Sequence, residues 1–324
     1  MTRASCAAAV AFVAVSLHVT ACIRTKQPEL QPTPKPAGAT LWERPANLPS
    51  RDLFDGPWGR ELAPDPRGTY TYVERKRSGV NLGMTVVDSQ GREWSVKQPY
   101  PGGLDDESPV EVALSRLLSA VGYHQPPVYY LREFILKDDW GTHVEPGGRF
   151  RLKLESLKDA GPWSWSENPF IGSRPYHGLL VMLLMFNDTD LKDSNNTLYE
   201  YTHGGKTELL YVVRDLGAAL GDVERFAPRK GNIEAFETTP FVLGTSNGHV
   251  DLVVDPWYRK LVTDRITPED VRWASELLGQ LSDRQWRDAF RAGGFETNVA
   301  SRYIRKLRAK VDQGSAATLR ADAR

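Results

Sequence analysis

The feature that most constrains the fold is an unbroken apolar run, LLVMLLMF at 179–186. Ser173, Arg174 and Pro175 precede it, and a serine followed by a proline is typical of the first turn of a helix. We therefore predict a helix that begins at these residues and continues through the run. A helix that is apolar on every side must be buried on every side. The chain thus has to place other elements all round this segment.

The apolar run leads directly into NDTDLKDSNN at 187–196, which holds three aspartates, three asparagines and one lysine. Asp, Asn and Ser are preferred turn formers, so a solvated loop after the helix would explain the composition. Carboxylate and amide oxygens are also the ligands that hard cations prefer. The stretch alone leaves two interpretations open, a solvated turn or a site that faces a cation.

The amino-terminal residues have the layout of a secretory signal, with a basic residue followed by an apolar stretch at 7–19. This stretch is too short to span a bilayer comfortably. The tetrapeptide VTAC at 19–22 resembles a bacterial lipobox, in which the cysteine is lipidated and becomes the first residue of the mature protein. We predict a signal peptide over 1–21 and a lipid on Cys22. The alternative is an ordinary signal peptide cleaved near Ala21.

The segment after the signal predicts a linker. TKQPELQPTPKPAG at 25–38 carries four prolines, a composition typical of an extended, unpacked segment. We therefore predict a lipid-anchored, proline-rich tether over 22–45.

Composition limits the classes of function. Cys6 and Cys22 are the only cysteines, so the mature domain has no disulfide and no cysteine metal site, and its core must hold the fold alone. The chain has 41 basic and 41 acidic residues. This balance argues against a general nucleic-acid binder.

The first half of the chain has a mixed pattern. Residues 69–98 divide into three short β-type runs, separated by the turn-forming stretches SGVNLG and DSQG. The next segment has apolar residues largely on one face and predicts a helix with Ser108 as N-cap and Pro109 at its first position. Two further strand-like runs follow, VYYLREFIL and RFRLKLES. Strands, one helix and then strands make a small α+β unit, which we place at 46–157.

The second half is mostly helical in pattern. TLYEY and ELLYVVRDLG predict a hairpin, and amphipathic helices with capping signatures follow over 267–281 and 282–294. The basic stretch SRYIRKLRAK at 301–310 has apolar residues at helical spacing and is typical of the solvated face of a terminal helix. We predict a larger, mostly helical unit over 158–312 and a disordered tail over 313–324.

Five positions then stand in a suggestive order. Lys97 lies on the third strand-like run, and Glu111 lies in the first turn of the helix that follows. Asp190 and Asn195 fit the spacing D-x-x-x-x-N in the stretch after the buried helix. Asp215, in RDLG, comes directly after a strand and stands two residues before a glycine.

This order resembles the protein-kinase fold, so we expect an α+β, bilobal kinase-like fold with a small β-rich N-terminal lobe, one main helix in that lobe, and a larger, mostly helical C-terminal lobe. The turn SGVNLG, with Gly79 and Gly83, occupies the place of the loop that covers the phosphates. That loop has only two glycines, there is no H-R-D or A-P-E segment, and RDLG replaces D-F-G. These departures point to the atypical branch of HipA-like, phosphoinositide-kinase-like and secretory-pathway kinases. The stretch NDTD at 187–190 resembles the catalytic loop of that branch.

The resemblance implies roles in phosphoryl transfer. Asp190 would accept or orient the attacking hydroxyl, and Lys192 would offset the charge that builds on the transferred group. Asn195 and Asp215 would hold Mg²⁺ against the phosphates, because hard oxygen ligands suit a hard cation.

The resemblance also implies a nucleotide site. Lys97, paired with Glu111, would bind the phosphates of ATP beneath the loop that carries Gly79 and Gly83. Each position has an alternative. A strand lysine often extends its charge to the surface, and Glu111 lies three residues after Ser108, which is the spacing of a capping box.

Taken together, the resemblance implies an exported, lipid-anchored kinase that transfers the γ-phosphate of ATP, with Mg²⁺, to a hydroxyl on a protein, a lipid or a small molecule. Two alternatives stay open: a pseudokinase-like scaffold that binds nucleotide or metal without catalysis, and transfer of adenylate or glutamate. Ile23 is not the aspartate that retains lipoproteins in the inner membrane. An outer-membrane location is therefore expected if the source has two membranes.

Overall fold

The structure, a computed structural model, describes residues 29–75, 82–99, 107–224 and 229–317. The signal peptide predicted over 1–21, the lipid predicted on Cys22 and the loop glycine Gly79 lie outside these ranges and stay predictions.

The described residues form thirteen β-strands and seven α-helices, which confirms the α+β class. The strands are β1 (Gln31–Pro32), β2 (Ala39–Thr40), β3 (Thr69–Arg75), β4 (Leu82–Val87), β5 (Glu93–Gln98), β6 (Val128–Asp138), β7 (Gly141–Leu152), β8 (Leu157–Asp159), β9 (Glu167–Asn168), β10 (Asn196–His203), β11 (Lys206–Val213), β12 (Val242–Ser246) and β13 (His249–Leu252). The helices are α1 (Glu107–Ala120), α2 (Arg174–Met185), α3 (Ile233–Thr238), α4 (Arg259–Val262), α5 (Pro268–Gly279), α6 (Asp283–Ala292) and α7 (Thr297–Ser315).

Five of these strands close into a barrel in the order β3-β4-β5-β7-β6. Side chains alternate between the two faces of each strand, and the inward aromatic rings of Tyr70, Trp94, Phe134 and Phe150 pack edge-to-face in the interior. β3 completes the barrel by pairing in parallel with β6. The three strands predicted over 69–98 are confirmed. Both later runs are confirmed as strands too, although β7 begins and ends earlier than predicted.

A second and larger hydrophobic core surrounds α2. Every residue of the run 179–186 is at most 2% exposed, as its all-apolar character predicts. Helices α4, α5 and α7 pack against α2. Capping boxes at Thr267 and Ser282 start α5 and α6, which confirms both predicted helix starts. The predicted hairpin is also confirmed, as β10 and β11.

Helix α1 lies between the barrel and the larger core, and its apolar side chains belong to the larger core. The helix begins at Glu107, so the prediction that Ser108 is its N-cap and Pro109 its first residue is wrong. The Ser108 hydroxyl instead donates to the carbonyl oxygen of Lys97 on β5, at 3.2 Å. This bond fixes the start of α1 beside the strand that carries the candidate lysine.

Two parts of residues 29–45 pack on the protein, around Leu30 and around Leu41, so the prediction of an unpacked tether is wrong for these parts. Residues 31–38 between them are largely exposed. β1 pairs in parallel with β9, and β2 pairs in parallel with β11. Leu30 and Leu41 are 9% and 2% exposed, and Trp42 packs edge-to-face on Trp273. Prolines exclude a helix but not a short edge strand, and burial of one leucine side chain stabilises the fold by about 1.5–3 kcal/mol.

The carboxyl-terminal helix also extends further than predicted. α7 continues to Ser315, so the start of a disordered tail at 313 is wrong for three residues. Gly314 permits the extension, because a Cβ there would lie 2.1 Å from the hydroxyl oxygen of Ser275 on α5. Among the described helices, none combines the length and the apolar character needed to cross a bilayer.

Candidate active site

Lys97 on β5 meets three carboxylates from two other parts of the fold. Its ammonium nitrogen (Nζ) lies 2.5 Å from Asp215 Oδ1, 2.8 Å from Glu107 Oε2 and 3.4 Å from Glu111 Oε2. Glu107 and Glu111 are one turn apart on α1 and so face the same side of that helix. Asp215 follows the end of β11. The structure therefore brings together three positions that the sequence singled out, Lys97, Glu111 and Asp215.

Glu111 is held from two sides and does not cap its helix. Its Oε1 lies 2.9 Å from Arg149 Nε, and its side chain is buried. Because α1 begins one turn earlier, at Glu107, the capping-box alternative for Glu111 is wrong. Arg149, on β7, also donates to the carbonyl oxygen of Ser95 at 2.9 Å. Arg149 was not predicted as a site residue, because a lone strand arginine carries no motif.

Glu107 is a second residue that the sequence analysis missed. One of its oxygens accepts from Lys97, and the other lies 2.8 Å from Lys230 Nζ. Burial would raise the pKa of Glu107, but these two ammonium groups hold it below its ordinary value. The signal was present in the sequence as a second glutamate four residues before Glu111, on the same helix face.

The cluster is electrostatically matched. Burial would lower the pKa of Lys97, but the carboxylates of Glu111, Asp215 and Glu107 raise it well above its ordinary value. Burial would also raise the pKa of Asp215, yet the Lys97 ammonium overrides that effect and lowers it to about 2. The three cations of the cluster equal its three carboxylates in number.

The turn that carries Asp215 is tightly placed against α1. Asp215 has a left-handed backbone (φ 60°), which costs free energy for a residue other than glycine. Gly217 follows, and a Cβ there would lie 2.5 Å from Glu107 Cβ. The glycine of RDLG is therefore required for close approach of the turn to α1. The acidic side chain is thereby directed to the barrel lysine.

The loop after α2 folds back on itself. Asp188 Oδ1 accepts a hydrogen bond from the Asp190 amide at 3.0 Å. The side-chain amide of Asn195 donates to the carbonyl oxygen of Asp190 at 2.7 Å, so the D-x-x-x-x-N spacing closes the loop. Lys192 Nζ lies 2.7 Å from Asp190 Oδ1. The structure therefore keeps the two predicted catalytic side chains, Asp190 and Lys192, side by side.

Asn195 and Asp215 stand at the same end of one hairpin. Asn196 on β10 pairs with Val213 on β11, and the amide of Arg214 donates to the carbonyl oxygen of Asn195 at 2.8 Å. The side-chain nitrogen of Asn195 is bound to Asp190, so its amide oxygen is the side-chain atom that could ligate a cation.

The residues present at this end fit Mg²⁺. They offer one amide oxygen and one carboxylate, a set that suits an ion which keeps several waters and binds substrate phosphates. Within the described ranges, no group of three or more His, Cys, Asp or Glu residues could hold a metal ion.

Gly83 is the second residue of the strand that leaves the predicted turn, and its assignment to the phosphate-covering loop stays a prediction. It lies in β4, directly opposite Lys97 in the β4–β5 pair. The alternation that begins at Leu82 extends β4 into the predicted turn. The remainder of that turn, with Gly79, lies outside the described residues.

A cleft of about 730 Å³ opens beside the loop. Three lysines and three aspartates line it, together with exposed Trp257 and with Tyr258. Asp190 and Lys192 form one wall, and Lys230 links this wall to the cluster around Lys97. Burial and the charge of Asp190 raise the pKa of Tyr258. The cleft is thus the entrance through which a ligand can reach Asp190.

Asp188 predicts a pH dependence of stability. It is 4% exposed, and burial raises the pKa of its carboxyl from 3.8 to about 7. The folded state keeps a proton on Asp188 that the unfolded chain loses near pH 4. The contribution of this carboxyl to the free energy of unfolding is therefore complete below about pH 4 and is lost as pH rises through about 7. Asp188→Asn keeps an oxygen for the Asp190 amide and should remove that dependence.

Urea unfolding of both proteins from about pH 4 to about pH 8 measures this difference in slope. Equal slopes in the two proteins would contradict the buried, protonated carboxyl.

Comparisons with known proteins find similarity only at the level of structure. No protein-family model matches the chain, and no curated protein matches it. The Helicobacter pylori proinflammatory kinase CtkA is 10% identical, with a TM-score of 0.33 over 76% of this chain and 98% of that chain. The Rio2 kinase of Chaetomium thermophilum, solved as an ADP/Mg²⁺-phosphoaspartate complex, is 12% identical, with a TM-score of 0.36 over 77% of this chain and 72% of that chain. TM-scores this low establish neither a family nor an activity.

Proposed function

We propose that this chain is an ATP-dependent phosphotransferase with a kinase-like fold of the atypical branch. The observation that supports it most is the contact between the barrel lysine and the strand-end aspartate, with Lys97 Nζ 2.5 Å from Asp215 Oδ1 and 3.4 Å from Glu111 Oε2. Residues from the barrel, from α1 and from the β10–β11 hairpin converge there. A lysine–glutamate pair beside an acidic metal ligand is the arrangement that protein kinases use for phosphoryl transfer.

Nucleotide binding at this site involves one exchange of partners. Lys97 now binds Asp215, whose side chain is 46% exposed. Phosphate oxygens of ATP would replace that carboxylate on the lysine, while Glu111 and Arg149 keep the lysine side chain aligned. Asp215 would then be available, with the amide oxygen of Asn195, to hold Mg²⁺. The ion, when bound, offsets negative charge on the phosphates.

In the transfer step, Asp190 on the loop after α2 is the proton acceptor. An acceptor hydroxyl bound in the cleft forms a bond to the γ-phosphorus, and the bond from that phosphorus to the bridging oxygen of ADP breaks. The hydroxyl proton passes to the Asp190 carboxylate. Lys192, 2.7 Å from that carboxylate, offsets the charge on the transferred group. This supports a hydroxyl-bearing acceptor, of protein, lipid or small-molecule type.

We further propose an exported protein held to a membrane through lipidated Cys22, in the outer membrane if the source has two membranes. The support is the VTAC sequence at 19–22 and the apolar stretch before it. The balance of 41 basic and 41 acidic residues supports a partner other than nucleic acid.

A scaffold without catalysis is the second candidate. The observation that favours it is the complete pairing of the cluster, in which Lys97, Glu107 and Lys230 already satisfy one another. Mass spectrometry after incubation with ATP and Mg²⁺ separates the candidates, with acceptor hydroxyls supplied by water, by the chain itself and by added polyols. Phosphate release or a phosphate adduct supports the kinase. An adenylate adduct, or a glutamate adduct when free glutamate is added to the same incubation, overturns it in favour of another transferase, and no turnover favours the scaffold.

A further inference from the structure

Lys310, on the terminal helix α7, is a buried lysine whose side-chain nitrogen is held by uncharged groups. It is 2% exposed. Its Nζ donates to the carbonyl oxygen of Met185 at 2.9 Å and to Asn187 Oδ1 at 2.7 Å. Burial lowers the pKa of Lys310 well below its ordinary value. None of the described carboxylates pairs with it, and an amine buried without such a partner is expensive, so this position needs a physical reason.

The reason lies in the end of α2. Met185 is the last residue of that helix, and its carbonyl belongs to the negative end of the helix dipole. Lys310 Nζ also lies 4.3 Å from the ring centroid of Phe236 and 6.0 Å from that of Phe241, where aromatic faces attract a cation. The side-chain nitrogen of Lys310 therefore caps the helix that leads into the loop of Asp190.

Asn187 connects Lys310 to the loop through the hydrogen bonds of its side chain. Its backbone is left-handed (φ 57°), and its side-chain nitrogen donates to the carbonyl oxygen of Gly221 at 2.6 Å. Thr189 donates from its hydroxyl to the carbonyl oxygen of Ala218 at 3.0 Å. The loop is thus joined to the segment that follows Asp215. Tyr303, also on α7, donates to the carbonyl oxygen of Leu220 in that segment at 3.3 Å.

We propose that Lys310 is a positioning residue that sets the geometry of residues 187–195 and, through Asn187, their distance from the segment after Asp215. It does not touch nucleotide or acceptor. Its consequence for catalysis rests on the proposed function, but its consequence for the loop does not.

The first test compares Lys310→Met with Lys306→Met. Lys306 lies one turn earlier on α7 and donates to the carbonyl oxygen of Glu237 at 2.7 Å, away from the loop. Hydrogen exchange of backbone amides reports local opening. Lys310→Met should speed exchange over 187–195 and 218–221 and leave the barrel strands unchanged. Lys306→Met should leave the loop unchanged.

The second test measures ADP formation from ATP and Mg²⁺ with water as the acceptor. A misplacement of about 1 Å can cost about a hundredfold in rate, so Lys310→Met should lower the rate by about that factor. The rise in unfolding midpoint with ATP should remain, because Lys97 and Asp215 are unchanged. A purely structural role would instead lower the midpoint and the ATP-dependent rise together.

Asn187→Gly keeps the test decisive if Lys310→Met does not fold. Glycine tolerates the left-handed backbone and removes the side chain through which Lys310 is joined to the carbonyl oxygen of Gly221. It should give the same local exchange and the same loss of rate. Unchanged exchange over 187–195 in the variants that fold overturns the proposal. If the unsubstituted protein neither binds ATP nor forms ADP, the proposed function fails while the exchange result still decides the role of Lys310.

Discussion

Asp190→Asn should lower the rate of phosphoryl transfer by about 10²–10⁴-fold, the usual contribution of a general base. Asparagine keeps the size and the hydrogen-bonding oxygen of the side chain, but it cannot take the proton of the attacking hydroxyl. The loop should keep its shape, because the amide of Asp190 binds Asp188 and the carbonyl binds Asn195, and neither bond uses the substituted side chain. The measurement is ADP formation from ATP and Mg²⁺ with water as the acceptor.

Asp193→Asn is the matched control. Asp193 lies on the same loop and lines the same cleft. Its Oδ1 accepts a hydrogen bond from the Trp165 amide at 2.9 Å, which an asparagine oxygen retains. This variant should keep a rate close to that of the unsubstituted protein. Equal losses in the two variants would show a general effect of charge in the cleft and would contradict the role of Asp190.

Lys97→Met should destabilise the fold and remove the response to ATP. Removal of one partner from a buried ion pair costs about 3–5 kcal/mol, because it leaves uncompensated charge. The lower end of this range applies here, since the Asp215 side chain is 46% exposed. In addition, Glu107 keeps its ion pair with Lys230, and Glu111 keeps its ion pair with Arg149. Urea unfolding measures the free energy of unfolding, and thermal unfolding with ATP measures the response.

Lys153→Met provides the comparison for that loss. Lys153 lies near the end of β7 and pairs with Glu93, but both side chains are largely exposed. An exposed pair contributes about 0–1 kcal/mol, so this variant should unfold almost like the unsubstituted protein and keep its response to ATP. If Lys97→Met and Lys153→Met behaved alike, Lys97 would not be a site residue.

The sequence predicted the parts of the site that lie at the ends of regular elements. Strand alternation located Lys97 on β5, and the all-apolar run located the loop of Asp190 at the end of α2. The β10–β11 pairing then places Asn195 and Asp215 at the same end of the hairpin. These features depend on periodicity and on turn chemistry, which are local in sequence.

The missed residues depend on contacts between distant parts of the chain. Lys230 reaches Glu107 across 123 positions, and Lys310 reaches Met185 across 125. A lysine in a basic helical stretch predicts a solvated face, and only the packing of α7 on α2 makes Lys310 a buried cap. The packing of two parts of residues 29–45 was missed for the same reason, because apolar contacts with a distant core outweighed a proline-rich composition.

The most direct measurement is thermal unfolding of residues 29–324 with and without ATP and Mg²⁺, beside the same chain with Asp215→Ala. The fragment used in this measurement begins at residue 29, because Leu30 and the strands that follow pack on the fold. A ligand that binds only the folded state stabilises it by about 2.7 kcal/mol at a hundredfold excess over Kd. We predict a rise in midpoint that requires Mg²⁺ and is absent in Asp215→Ala. No rise with ATP, or an equal rise in the variant, would contradict a nucleotide site between Lys97 and Asp215.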